Sequence, residues 1–283
     1  MLKKGSQVAL VACSNALTDE KNIQTLVAFF KSQGLEVRIS PHVIAPQGKL
    51  AAKAKARADS VMHYFCDPRV DAIFDVSGGD LANEVLPELD YQAAAQSRAT
   101  FWGYSDVTTV INALHTRAGK ASVLYQARHL PLCAARGAEW ERWLCAGEES
   151  LFTPEIAWVQ GRQMSGVTVG GNVRCLLKLA GTPYWPDMRG KILVLEARSG
   201  GEAQIRTYLQ QLRQMDVFSQ VSGILLGTFS QLEQSLGAAA AQELLQAVTG
   251  PKLPLAVTRQ IGHGSDAKAL WIGRELQLQR SVE

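Results

Sequence analysis

The sequence predicts an α/β protein with an N-terminal doubly wound parallel-sheet domain and a smaller C-terminal α/β domain rich in strands. Three observations carry this prediction. Short apolar runs alternate with helical periods over roughly the first 145 residues, the pattern of a parallel sheet with helices on both faces. Several of those runs lead straight into glycine-rich turns, as expected where strands present their carboxyl ends to a ligand. The rhythm then breaks across Gly147–Gln163, which holds Pro154 and no clear period, before strands and helices resume. The boundaries that follow are an N-terminal domain over 1–147, a linker over 148–165 and a C-terminal domain over 166–283.

Taken in order, Val8–Ala12 is a buried strand leading into Ser14-Asn15. Ile23, Leu26, Val27 and Phe30 fall on one face of a helix closed by Gly34. Leu35–Ile39 is the second strand, so the chain opens as a right-handed β-α-β unit, the start of a flavodoxin-like sheet. Lys49–Tyr64 reads as a helix, and Asp71–Val76 as a strand ending in Ser77-Gly78-Gly79-Asp80. A helix through Val85 and Leu86 follows. Thr100–Tyr104 is then a strand breaking at Ser105 into a helix through Ile111 and Leu114. Ala121–Tyr125 is a further strand and Glu139–Cys145 a helix.

Past the break, Gly170-Gly171-Asn172 reads as a tight turn, followed by an apolar helix ending at Gly181. Thr182–Asp187 is a loop carrying Trp185, and Ile192–Leu195 a buried strand delivering Glu196. Ile205, Leu209, Leu212 and Met215 mark a helix, Gly223–Gly227 a strand, and Glu233–Val248 another helix. Leu255–Ile261 is a strand ending in Gly262-His263-Gly264, and Leu270–Leu278 reads as a terminal hairpin.

Composition narrows the function. With 283 residues the chain can bury one large or two modest cores, and its 47% apolar and 19% charged content is that of a globular protein. A net charge of +3 without a lysine- and arginine-rich run gives no nucleic-acid surface. The five cysteines, 13, 66, 133, 145 and 175, lack CxxC or metal-ligand spacing. They read as free thiols in a reducing compartment, with no metal site. The apolar run before Cys13 is about six residues, short of an export signal's core, and nothing approaches a membrane span of ~20 residues. A cytoplasmic protein with no membrane partner is expected.

Ser105 sits where a strand breaks into a helix. It is either an N-cap or a nucleophile lying by the free N–H groups of a helix start. Glu196, at the end of a buried strand, could orient an imidazole or face water. His263, flanked by glycines at a strand end, could be a base or a loop histidine satisfied locally. His42, His63, His115 and His129 read as solvated surface. Together Ser105, Glu196 and His263 stand in an order, Ser then acid then His, that builds catalytic triads. The α/β-hydrolase elbow Gly-x-Ser-x-Gly is not matched, because Val107 occupies its last position. A ligand-binding module whose Gly-Gly turns grip a small anion is the non-enzymatic alternative.

A wider set of motifs is more specific. Gly78-Gly79 precedes Asn83, Leu86-Pro87 and Leu89-Asp90-Tyr91, and Gly103–Thr108 surrounds Ser105. Gly170-Gly171-Asn172, Gly181-Thr182-Pro183 with Pro186-Asp187, Gly190–Glu196, Gly223–Gly227 and Gly262-His263-Gly264 follow in order. In this set the chain resembles the serine peptidase family that holds the LD-carboxypeptidases of murein recycling and the microcin C self-immunity peptidase. The resemblance implies Ser105 as nucleophile, His263 as general base then acid, and Glu196 as the residue orienting it. It implies an oxyanion hole from the N–H groups of Gly79 and Asp106, and a site at the domain interface. Gly78, Asn172 and Trp185 would contact substrate, with inter-domain packing an equal alternative for Trp185. The substrate would be a small peptide, a muropeptide cut between an L-centre and a D-amino acid, or else a peptidyl-nucleotide. No cofactor is implied, and a homodimer is. Two loops depart from the family pattern: Cys13-Ser14-Asn15 stands where Pro-Ser-Gly is usual, and Gln126-Ala127 where Gly-Pro usually follows the tyrosine.

Overall fold

The computed structural model describes residues 2–45 and 49–280. In the first half β1 (Gln7–Val11), α1 (Glu20–Ser32), β2 (Glu36–Ile39), α2 (Ala54–Cys66) and β3 (Val70–Asp75) alternate. They continue as α3 (Tyr91–Gln96), β4 (Thr100–Gly103), α4 (Thr108–Ala118), β5 (Ser122–Leu124) and α5 (Ala134–Ala146). The five strands pair in parallel in the order 2-1-3-4-5. That is the flavodoxin-like order, with loops gathered at the carboxyl ends of β1, β3 and β4. Alternate residues feed two cores. Ala9, Val11, Ile73 and Phe101 face one side, and Val8, Leu10, Phe74 and Trp102 the other.

The second half holds β6 (Ala157–Gln160), β7 (Gln163–Asn172), α6 (Val173–Leu177), β8 (Ile192–Ala197), α7 (Glu202–Gln214) and α8 (Val217–Gln220). It ends with β9 (Gly223–Phe229), α9 (Ser230–Leu236), α10 (Ala240–Thr249), β10 (Leu255–Val257), β11 (Leu270–Ile272) and β12 (Glu275–Gln279). The second sheet has the order β12-β7-β8-β9-β10-β6, parallel through β7 to β10 and antiparallel at both edges.

The faces of β8 show how the halves join. Leu193 and Leu195 pack on the domain's own helices α7 and α10. Ile192 and Val194 enter the core that also holds Phe101, Val107, Ile111 and Leu114 of the first half. With a strand period of two, Glu196 falls on the face turned toward the first half. Glu196 apart, the strand is apolar because both its faces are covered.

A polar seam crosses this interface. Asn112 of α4 is fully buried; its amide donates to the Gly170 carbonyl at 2.9 Å, and its oxygen accepts the Gly170 N–H at 2.9 Å. Thr108 Oγ1 accepts the Asn172 N–H at 3.1 Å. A Cβ on Gly171 (φ 129°) would lie 2.8 Å from Thr108 Oγ1. Gly170-Gly171 is therefore not the tight turn its dipeptide suggests. It is the end of β7, glycine because a helix lies against it.

Other elements differ from the sequence reading for local reasons. The terminal hairpin is absent: β11 pairs antiparallel with β5 in the first sheet, and β12 with β7 in the second. Gly273 and Arg274 pass the chain between sheets, bonded to Thr168. A short turn between two strands mimics a hairpin, but the free edges of β5 and β7 each need cover. The linker 148–165 contributes a strand, β6, and Leu151 and Phe152 join the first half's core. Gly237 (φ 97°) divides the helix read over Glu233–Val248. Residues 82–88 form a 3-10 helix containing Pro87. The strand read over Leu255–Ile261 stops at Val257, where Thr258 Oγ1 accepts the Gln260 N–H and turns the chain. Helix α2 begins at Ala54, leaving 49–53 outside it.

Replacing Asn112 by Ala leaves the Gly170 N–H and C=O buried without partners, at about 1–3 kcal/mol for each unsatisfied group. Urea unfolding should show Asn112→Ala less stable by at least about 1 kcal/mol with an unchanged slope.

Candidate active site

Tyr104 leaves β4 fully extended, and Ser105 then takes φ 55°, one of two non-glycine residues with positive φ among those described. That left-handed conformation is uncommon for serine and turns the hydroxyl out of the strand. Residues 105–107 form a 3-10 turn running into α4. Across the interface, His263 Nε2 lies 3.2 Å from Ser105 Oγ. His263 Nδ1 lies 2.8 Å from Glu196 Oε2.

Glu196 is fully buried, and both its oxygens are engaged. Oε1 accepts the Asn172 side-chain amide at 3.0 Å, and Oε2 faces the Tyr104 hydroxyl at 3.3 Å as well as His263. The carboxylate favours the Nδ1–H tautomer, which leaves Nε2 free to accept the Ser105 proton. Burial and the neighbouring Glu196 charge hold the Tyr104 hydroxyl well above its ordinary pKa, so it remains a neutral donor. Its ring meets the His263 ring edge-on at 4.6 Å.

The other residues named from the sequence fall around this series. Gly79 (φ 123°) follows Gly78 in the loop after β3, and a Cβ there would lie 2.2 Å from Asn15 Oδ1. That same oxygen accepts the Asp80 N–H at 3.1 Å. Asp106, next to Ser105, has a fully buried side chain that accepts from Ser14 Oγ at 2.6 Å, Ala82 N–H at 2.8 Å and Lys178 Nζ at 2.6 Å. Asn172 is turned inward: its amide serves Glu196, and its oxygen caps α6 at the Cys175 N–H. Both of its polar groups are thus used within the protein. Trp185 packs half-buried against two cores, one of them shared between the halves.

Several participants carried no signal strong enough to single them out. Tyr104 looked like one more apolar strand residue. Lys178, at the end of α6, looked like an ordinary helix-end lysine, and only the fold shows that it reaches Asp106. His115 and His129 are half-buried, not solvated surface, and burial lowers the pKa of both. His129 is close enough to His263 to sense its charge. The departure at 13–15 also has a physical reading. The Cys13 N–H, which a proline would lack, donates to the buried Asp75 at 2.6 Å, and Asn15 fills the space beside Gly79. Burial raises the Asp75 pKa.

Among the described residues, no group of three or more His, Cys, Asp or Glu could hold a metal ion. No described helix is long and apolar enough to cross a membrane.

Hydroxyl, imidazole and buried carboxylate are brought into one hydrogen-bonded series from two α/β halves docked over a common core, in a two-domain protein. The chain belongs to the LD-carboxypeptidase family: the family's N-terminal domain matches residues 8–125 and its C-terminal domain residues 165–278. A murein tetrapeptide carboxypeptidase of Pseudomonas aeruginosa is 25% identical over 289 residues, covering 96% of this chain and 93% of its own. The microcin C7 self-immunity protein MccF, solved in complex with aspartyl sulfamoyl adenosine, superimposes with a TM-score of 0.87 at 20% identity. That match covers 98% of this chain and 94% of MccF. A muramoyltetrapeptide carboxypeptidase from Oxalobacter formigenes gives 0.81 at 23% identity, covering 98% and 96%.

A fluorophosphonate probe should label Ser105 and fail to label the Ser105→Ala protein. His263→Ala should abolish labelling. Tyr104→Phe should slow it about tenfold, the scale of one hydrogen bond to a charged group. Equal labelling rates in wild type and His263→Ala would remove the imidazole from the activation of Ser105.

Proposed function

We propose that the protein is a serine carboxypeptidase of LD type, releasing a C-terminal D-amino acid from muropeptides in the cytoplasm. The observation that carries this reading is the hydrogen-bonded series Ser105–His263–Glu196, at 3.2 and 2.8 Å. Ser105 Oγ attacks the carbonyl carbon of the bond between the L-centre and the D-residue while His263 Nε2 takes its proton. The carbonyl oxygen becomes an oxyanion facing the N–H groups of Gly79 and Asp106; a side chain at Gly79 would collide with Asn15. Collapse breaks the C–N bond, and His263 returns the proton to the leaving amine. A water activated by His263 then hydrolyses the Ser105 ester. Glu196 orients the ring and stabilises the imidazolium.

The second reading is hydrolysis of a peptidyl- or aminoacyl-nucleotide. It draws support from the likeness to MccF, which was solved with a sulfamoyl nucleotide. Less favourable to it is Trp185, the aromatic that could have stacked on a base, since its ring packs against two cores. A ligand-binding module without chemistry is disfavoured by the strain at Ser105, which such a module would not need.

Incubation of murein tetrapeptide and of an aminoacyl sulfamoyl adenosine with wild type, followed by mass spectrometry, should show loss of D-alanine from the first. Ser105→Ala should reduce that turnover by roughly 10⁴-fold or more while remaining folded. Cleavage of the nucleotide alone would favour the second reading, and wild-type turnover by Ser105→Ala would end the first.

A further inference from the structure

The loop after β5 is one of the two places where this chain leaves the family pattern, and it carries Arg128. Leu124 pairs with Gly103, and the Tyr125 N–H donates to the Gly103 carbonyl at 2.8 Å. The chain therefore leaves β5 one strand over from Ser105, at the same edge of the sheet. The Gln126 side-chain oxygen receives the Arg128 N–H at 3.4 Å and its Nε–H at 3.2 Å, which fixes the half-buried arginine arm. From the other half comes Arg198, two residues past Glu196, exposed, its carbonyl receiving the Gln231 N–H at 3.1 Å. Arg198 is near enough to act electrostatically on Arg128, His129 and Tyr104.

Two arginines thus belong to segments that adjoin Ser105 and Glu196, and among the described residues neither forms an ion pair. The acidic group acting on Arg128 is Asp75, whose oxygens already accept from Cys13 N–H, Ser77 N–H and Ser77 Oγ. Burial works against the Arg128 charge, and the like charge of Arg198 adds to that. An arginine fixed by Gln126 in the loop beside Ser105, with no ion-pair partner among the described residues, matches a carboxylate that arrives with a ligand.

We propose that Arg128, assisted by the charge of Arg198, takes the free C-terminal carboxylate of the departing amino acid. The assignment rests on the carboxypeptidase reading, and its stereochemistry follows from it. His263 protonates the leaving amine, and the carboxylate carbon is two bonds from that nitrogen. A carboxylate receptor therefore has to lie on the His263 side of Ser105, where His129, adjacent to Arg128, senses His263. Such a clamp makes the enzyme an exopeptidase: a chain continuing past the scissile bond, or ending in an amide, lacks the charge the arginines require.

The test uses N-acetyl-L-lysyl-D-alanine and its C-terminal amide. Calorimetric titration of the non-hydrolysing Ser105→Ala protein should show the acid binding about 10- to 100-fold more tightly than the amide, the scale of a charge-assisted pair. Adding Arg128→Ala should bring the acid-to-amide ratio close to one. Adding Arg198→Ala, at an exposed position tolerant of substitution, should lower the ratio several-fold. Arg128→Lys should keep only part of the preference, because an ammonium cannot bind both oxygens in the same plane. An acid-to-amide ratio near one in the Ser105→Ala protein, or one untouched by Arg128→Ala, would overturn the clamp. If wild type cleaves the acid but the ratio ignores Arg128, the clamp alone falls. If the acid binds through Arg128 yet no peptide is cleaved, the carboxypeptidase reading falls and the anion site stands.

Discussion

Ser105 and the two residues bonded in series to it come from different halves of the chain, so their spacing depends on how helix α4 is held against strand β7. The Asn112–Gly170 pair and the Thr108–Asn172 bond fix that register from within the interface. Around them Ile192 and Val194 pack into the first half's core, so the junction is built like a domain interior. Inter-domain contacts are often more polar and permit relative motion. Here apolar burial and paired backbone groups combine, and the same helix that begins just after Ser105 docks the strand that ends at Asn172. Ser105 and Glu196 are thereby referred to one rigid element.

Electrostatics tighten the same junction. Asp106 is a fully buried carboxylate held by Ser14, the Ala82 N–H and Lys178, groups from three separate segments. A charge so placed is tolerated only while its partners remain, because a lone buried ion is expensive. Glu196 is satisfied differently, by Asn172, Tyr104 and His263, with no arginine or lysine bonded to it among the described residues. The two carboxylates thus have different partners: Asp106 reaches across to Lys178 of the second half, and Glu196 is bonded to His263.

Much of the architecture could be read from the chain because its signals are local. The 3.6-residue period of Ile23, Leu26 and Phe30 and the apolar runs at β1, β3, β4, β8 and β9 each report an element directly. Ser105, Glu196 and His263 were legible because each stands where an apolar run gives way to a turn or a loop. What escaped depends on partners distant in sequence. Gly170-Gly171 has the composition of a turn, and only the approach of Thr108 shows why it lies in a strand. The strands at 270–272 and 275–279 look like two arms of one hairpin until the edges of β5 and β7 are known. Asn172 pointed to the right neighbourhood but not to its partner, because a side chain's direction at a strand end is set by what packs behind it.

The crossing of β11 back to the first sheet bears on how the protein matures as it is made. Chains emerge from the ribosome N-terminus first, and domains generally fold as they emerge. Here β5 waits for a neighbour more than a hundred residues downstream, since Leu124 is paired with Leu270. Until that strand arrives, one edge of the nascent sheet stands open to unintended pairing. The two halves are sewn together by strands far downstream of the sheet they complete, and the β5 edge is covered only once β11 has been made.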